Sequence, residues 1–103
     1  MEIIVPEHAC VRMKERLGLN KKAFQRQAEL AWSRGVKHGD TKSHLKKWID
    51  KEALKVSSKA NYYIVYNNHL FFFRTISEDS VVVLSMIKIP SNLSRDINKY
   101  FKW

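Results

Sequence analysis

Apolar positions recur with two different periods along the chain, and the change falls near residue 60. Before it they repeat every three to four residues, as Ala9, Met13 and Leu17 do, then Ala23, Phe24, Ala28 and Ala31, then Leu45, Trp48, Ile49 and Leu54. That spacing predicts three amphipathic helices, each with one face against a core. The boundaries have chemical causes. Pro6 suits a first helical turn, Glu7 complements the positive end of the helix dipole, and Gly18 suits the position past the end, so the first helix is predicted over residues 6–17. Asn20 can cap a second helix running towards Gly35, and Asp40 or Thr41 can cap the third. Residues 2–5 read as a short edge strand.

From residue 60 the pattern becomes aromatic and β-branched, with strands predicted over 60–66, 69–76 and 81–89. Asn67 and Asn68 alone separate the first two. Asparagine tolerates positive φ, so the pair predicts a two-residue hairpin that sets Tyr66 against His69, Ile64 against Phe71 and Tyr62 against Phe73. A four-residue turn over 77–80 would then pair Ile76 with Val81 and place Val82, Leu84 and Met86 on the same core face. The other face would carry Asn61, Tyr63, Val65, Leu70, Phe72, Arg74, Val83, Ser85 and Ile87, with Asn61 across from Arg74. Pro90 ends the third strand. Leu93, Ile97, Tyr100 and Phe101 return to helical spacing, which predicts a short C-terminal helix within residues 91–103. The expected architecture is α+β in a single domain over residues 1–103. N-terminal helices pack on one face of a three- to four-stranded antiparallel meander, and the C-terminal helix follows.

Composition narrows the setting. At 103 residues with 45% hydrophobic residues, the chain suffices for one core. No apolar run approaches the roughly 20 residues of a membrane span, and residues 1–8 lack the basic and apolar segments of a signal peptide. The single cysteine, Cys10, has no intramolecular partner, so a reducing cytoplasm is the expected setting. The net charge of +9 is concentrated: residues 21–59 hold eleven Lys/Arg against four Asp/Glu, whereas residues 1–20 are balanced. Such concentration favours a polyanionic partner, RNA first, although a solvated lysine-rich helical surface has the same composition.

Candidate chemistry lies beside the first apolar stripe. His8, Arg12 and Arg16 stand at successive i, i+4 positions, forming a polar stripe at the edge of the surface the helix buries. An imidazole there can move a proton near neutral pH, and a guanidinium one turn away can hold a phosphate by paired hydrogen bonds. RNA cleavage needs a base for the 2′-hydroxyl, an acid for the leaving oxygen and fixed cations on the phosphorane. Helix-surface arginines also pair commonly with carboxylates, here Glu15 or others. Arg74, within an apolar strand, would need a partner of its own, either a phosphate or a carboxylate, unless it and Asn61 mark the solvated edge of the sheet.

Two stretches carry a resemblance. The segment HACVRMKER resembles the His-Ala-x-x-Arg-x-x-Glu-Arg opening of small proteins from phages and mobile elements, and YYIVYNNHLFFFR with VVVLSMIKIP resembles their hairpin and closing strand. The order of helices followed by a meander resembles the fold shared by barnase, EndoU, colicin nucleases and RelE-type toxins. In RelE- and BrnT-like toxins the implied activity is metal-independent endoribonuclease action through basic, histidine or tyrosine side chains. That resemblance carries over to His8, Arg12 and Arg74; an RNA-cleaving site would add Tyr63 or Ser85 as an orienting group.

Two functional expectations follow. In one, the protein cleaves RNA, with Lys21, Lys22, Arg26, Lys42, Lys46 and Lys47 as the seat for the backbone, assisted by Arg16, Asn61 and Ser85. In the other, the same scaffold is a non-catalytic nucleic-acid-binding accessory protein or a phage inhibitor of a host nucleic-acid enzyme. A toxin would also require a neutralising protein, acidic to match the charge. His38 and His44 flank Asp40 without a defined ligand set, so no metal is assigned, and no cofactor motif is present. Cys10 reads as a small buried residue and His69 as an exposed group at the hairpin tip. Trp32, Trp48 and Trp103 suit a core as well as they suit base stacking.

Overall fold

The computed structural model describes residues 2–56, 60–93 and 97. Within them the chain is α+β, with helices packed against a five-stranded sheet that is antiparallel except at one edge. The order is β1 (Glu2–Ile4), α1 (Glu7–Leu17), α2 (Lys21–Arg34), β2 (Val36–Lys37), the 3-10 turn η1 (His38–Asp40), α3 (Ser43–Val56), β3 (Tyr62–Tyr66), β4 (His69–Ser77), β5 (Ser80–Lys88) and the 3-10 turn η2 (Ser91–Leu93). Across the sheet the strands lie β1-β5-β4-β3-β2.

Local chemistry sets most boundaries. Pro6 precedes α1 as its N-cap residue, one position earlier than expected of it. Gly18 at φ 69° ends the helix, its N–H donating to the Lys14 carbonyl while the Leu19 N–H reaches back to Met13, the pattern that closes a helix through a left-handed residue. Asn20 caps α2 by accepting the Ala23 N–H at 2.8 Å. The third helix departs from expectation. Thr41 is buried and its hydroxyl donates to the His38 carbonyl at 2.6 Å, so it closes η1, and α3 begins two residues later. Leu45 and Ile49 are buried as expected, but Leu54 is 89% exposed. At about 100° per residue, the nine positions from Leu45 to Leu54 turn the side chain to the opposite side of the helix.

The hairpin follows the sequence. Asn67 and Asn68 take φ of 50° and 58°, and the predicted pairs Tyr66 with His69, Ile64 with Phe71 and Tyr62 with Phe73 all form. The second turn does not. Thr75 pairs with Val81 and Ser77 with Ser80, leaving Glu78 and Asp79 as the turn. A bulge then inserts Leu84 between Val83, opposite Phe73, and Ser85, opposite Phe72. The register slips first at Ile76, which stands unpaired between Thr75 and Ser77, so Val81 and Val83 join Phe71 and Phe73 while Val82 and Leu84 leave the face they were expected to share. The extra residue at Leu84 restores Met86 to its expected place opposite Phe71.

Two edges complete the sheet. β1 runs parallel to β5, with Ile3 beside Val81, and the Gln25 side chain ties α2 to it by donating to the Ile3 carbonyl at 2.8 Å. β2, within a stretch expected to be a plain connection, pairs Val36 with Val65 and Lys37 with Ile64. Gly35 permits this approach. A Cβ there would lie 2.9 Å from the Val65 carbonyl oxygen and closer still to Ile64 Cγ2.

The expected packing of N-terminal helices against the sheet holds, and the helices divide between its faces. Ile64, Phe71, Phe73, Val83 and Met86 pack with Ala9, Met13, Phe24, Ala28 and Ala31 of α1 and α2. Val65, Leu70 and Phe72, on the other side, pack with Leu45 and Ile49 of α3 and with Leu93 and Ile97. Leu70 to Phe73 are consequently all fully buried, as a strand covered on both faces must be. The C-terminal helix expected within 91–103 lies mostly outside the described residues, as does Trp103.

Candidate functional site

The predicted site residues fall into separate groups. His8, Arg12 and Arg16 form an exposed stripe on α1, over the face that carries Phe71 and Phe73. Arg74 follows Phe73 in β4 and sits opposite Val82, so alternation directs it to the side covered by α3. The structure therefore does not bring His8 and Arg74 together. Arg74 is exposed and has no ion pair among the described residues, so its place in an apolar strand imposes no buried partner. The expected basic seat also divides: Lys21, Lys22 and Arg26 are exposed on α2, whereas Lys42, Lys46 and Lys47 accompany α3 on the opposite face.

Tyr63, Asn61 and Ser85 share the α3 side with Arg74. Ser85 is 7% exposed opposite Phe72, which removes it from contact with a large substrate. Asn61 is engaged with Thr75 rather than Arg74. Its Oδ1 accepts the Thr75 N–H at 3.0 Å, its Nδ2 donates to the Thr75 hydroxyl at 2.5 Å, and its own N–H reaches the Phe73 carbonyl. The side chain thus extends the β3–β4 ladder by one step beyond the strand.

Tyr63 leads to a group that the sequence did not assemble. Gly35 lets β2 approach β3, β2 delivers the chain to η1, and His38 opens that turn beside Tyr63, with ring centroids 6.0 Å apart edge to face. From α3, Asp50 reaches His38, with Oδ1 at 2.6 Å from Nε2. A carboxylate can only accept, so Nε2 donates and Nδ1 is the acceptor nitrogen of the neutral ring. Tyr63 is itself fixed, edge to face against buried Phe72 at 5.5 Å, with its hydroxyl donating to the Ala60 carbonyl at 3.3 Å. Lys37 extends over the Tyr62 ring at 5.8 Å, and Tyr62 packs edge to face on Trp32.

A cleft of about 410 Å³ lies here, walled by Lys37, His38, Asp40, Asn61, Tyr62 and Tyr63. The His38 side chain is 29% exposed and that of Asp50 57%, so both the imidazole and its carboxylate are open to solvent. The arrangement supplies an oriented base, a cation at the rim and two aromatic rings. Among the described residues no three His, Cys, Asp or Glu side chains gather as metal ligands, and His44 is exposed apart from this pair. The signal available in the sequence was Asp50 next to Ile49, an acid at the edge of the buried stripe of α3. Its partner twelve residues earlier depended on the unforeseen β2.

No family model, no curated protein and no solved structure matches this chain. No described helix is long and apolar enough to cross a membrane.

Proposed function

We propose that the protein is a metal-independent, RelE-like endoribonuclease, of the kind its sequence resembles, working in the cleft around His38. The observation that carries this reading is the 2.6 Å pairing of His38 with Asp50 beside Lys37 and Tyr63. Nδ1 of His38 takes the proton of a ribose 2′-hydroxyl. The 2′-oxygen forms a bond to the adjacent phosphorus as the bond to the 5′-oxygen breaks, leaving a 2′,3′-cyclic phosphate and a 5′-hydroxyl that takes its proton from water, while His38 releases the proton it gained to solvent. Asp50 stabilises the imidazolium formed on the way, and Lys37 opposes the charge that builds on the phosphorane. Tyr63 offers a ring face to a base. Arg74, Lys42, Lys46 and Lys47, all on this side of the sheet, hold the flanking phosphates.

The catalytic role anticipated for His8, with Arg12 beside it, passes on this reading to His38, and the α1 stripe becomes a peripheral contact. The activity belongs in a reducing cytoplasm, where a protein of this kind would be restrained by an acidic partner. Incubation of the chain with labelled mixed-sequence RNA in EDTA tests the assignment. Cleavage should fall about 100-fold or more in His38→Ala and persist in His8→Ala. Undiminished cleavage in His38→Ala would remove the site.

A second reading has one observation in its favour. Exposed cations lie over both faces of the sheet, more than one cleft can use, as suits a non-catalytic nucleic-acid-binding protein or an inhibitor of a nucleic-acid enzyme. It predicts a band shift that weakens steeply with salt and no product from the unaltered chain.

A further inference from the structure

A second cleft lies at the other end of β3, where the hairpin tip meets the start of α2. Its volume is about 360 Å³, within the range of small-molecule sites. Its floor is apolar, formed by Leu17 and Leu19 at the α1–α2 connection and by Met86 of β5, whereas its rim carries Arg26, Lys88 and His69. Among the described residues no acidic side chain lines it. His69, expected to be exposed at the tip, is half-buried. It stands opposite Lys88 in the β4–β5 ladder, and its Nδ1 lies 2.6 Å from the Asn67 carbonyl oxygen. A carbonyl only accepts, so Nδ1 donates and Nε2 is left as the acceptor of the neutral ring. The tip is held to α2 by Asn67 donating to the Gln27 side chain at 3.3 Å. Next to this cleft, Lys21 and Lys22 share a shallow hollow with Arg26 and Glu29.

We infer that this cleft is a nucleotide subsite, taking one base against Leu17, Leu19 and Met86 and the attached phosphate between Arg26 and Lys88. An apolar floor gives a bare phosphate nothing, and a cationic rim gives an uncharged ring little. A nucleotide satisfies both, and Nε2 of His69 with the amide of Gln27 can read the base edge. The cleft lies near the start of α2, and the His38 cleft lies past its end. The 14 residues of that helix separate the two by roughly 20 Å. A single strand filling both would be held several nucleotides from the bond that is cut. The inference rests on the reading of the protein as RNA-directed, but its test does not use cleavage.

The test is an amide-resolved NMR titration of the full chain at low salt with adenosine 5′-monophosphate, adenosine and inorganic phosphate in parallel. The nucleotide should shift the amides of Leu19, His69, Met86 and Lys88 with a lower dissociation constant than either fragment. The double variant Arg26→Ala, Lys88→Ala changes only exposed side chains, and its folding is verified from its own spectrum. It should bind the nucleotide at least tenfold more weakly. Absence of those shifts, equal binding in the double variant, or phosphate binding as tightly as the nucleotide would each overturn the subsite. RNA cleavage without nucleotide binding would leave the His38 assignment standing and remove this one, and nucleotide binding without cleavage would do the reverse.

Discussion

Replacing Gly35 by alanine tests the contact that brings His38 to its place. The residue has φ −72° and ψ 166°, a conformation open to alanine, so no backbone strain is involved. Loss of glycine's freedom in the unfolded chain would by itself stabilise the variant by about 0.5 kcal/mol. Against this stands the new methyl group. It would lie 2.9 Å from the Val65 carbonyl oxygen and nearer to both the Ala31 carbonyl oxygen and Ile64 Cγ2, and Ile64 is 1% exposed with nowhere to retreat. Two of the three obstacles are backbone, which places the overpacking at the upper end of its range, about 3 kcal/mol. The net loss is about 2.5 kcal/mol, or roughly 10–20 °C in melting temperature for a domain of this size. Thermal and urea denaturation followed by circular dichroism measure it. Gly18→Ala is the control, since it forces a left-handed residue with nothing within 4 Å of the new Cβ and should lose only about 1 kcal/mol. A Gly35→Ala protein within about 0.5 kcal/mol of the original would refute the close approach of α2 and β2 to β3.

Other substitutions probe the elements around the site. Asn68→Gly, at φ 58°, should stabilise the hairpin by about 0.5 kcal/mol in urea unfolding, because glycine meets no penalty there. Asn61→Ala removes both bonds to Thr75 and should lose about 1 kcal/mol, with faster hydrogen exchange at the Thr75 amide as its local signature. Phe72→Ala empties a fully buried position between β4 and α3 and should cost about 3–5 kcal/mol by the same melts. For single-stranded RNA binding measured across salt concentrations, Lys46→Ala with Lys47→Ala should lower the slope of log K against log salt by about 1.4 if each contacts one phosphate.

How much of this was legible in the sequence depends on the range of the interaction concerned. The end of α1 at Gly18, the cap at Asn20 and the Asn67–Asn68 hairpin each rest on contacts within a few residues, and the pattern displays them directly. The irregularities at Ile76 and Leu84 are different, because each inserted residue changes the facing of the residues beyond it without altering composition. β2 was hidden for a related reason: two residues have no periodicity, and their strand exists because Gly35 lets them reach β3. Without β2, His38 reads as a loop residue and Asp50 as a surface acid. The basic helices read as one seat because their charge is continuous in sequence. In space, the run Leu70–Phe73, buried on both sides, separates them.

The measurement that addresses the central claim most directly uses a short single-stranded RNA and the same oligomer made entirely of 2′-deoxy nucleotides. Each is incubated in EDTA with the original chain and with Asp50→Asn, and the product ends are identified by mass. The account predicts fragments ending in a 2′,3′-cyclic phosphate from the RNA alone, with a much slower rate when Asp50 no longer holds His38. Equal cutting of the deoxy oligomer, or an Asp50→Asn rate equal to that of the original chain, would contradict it.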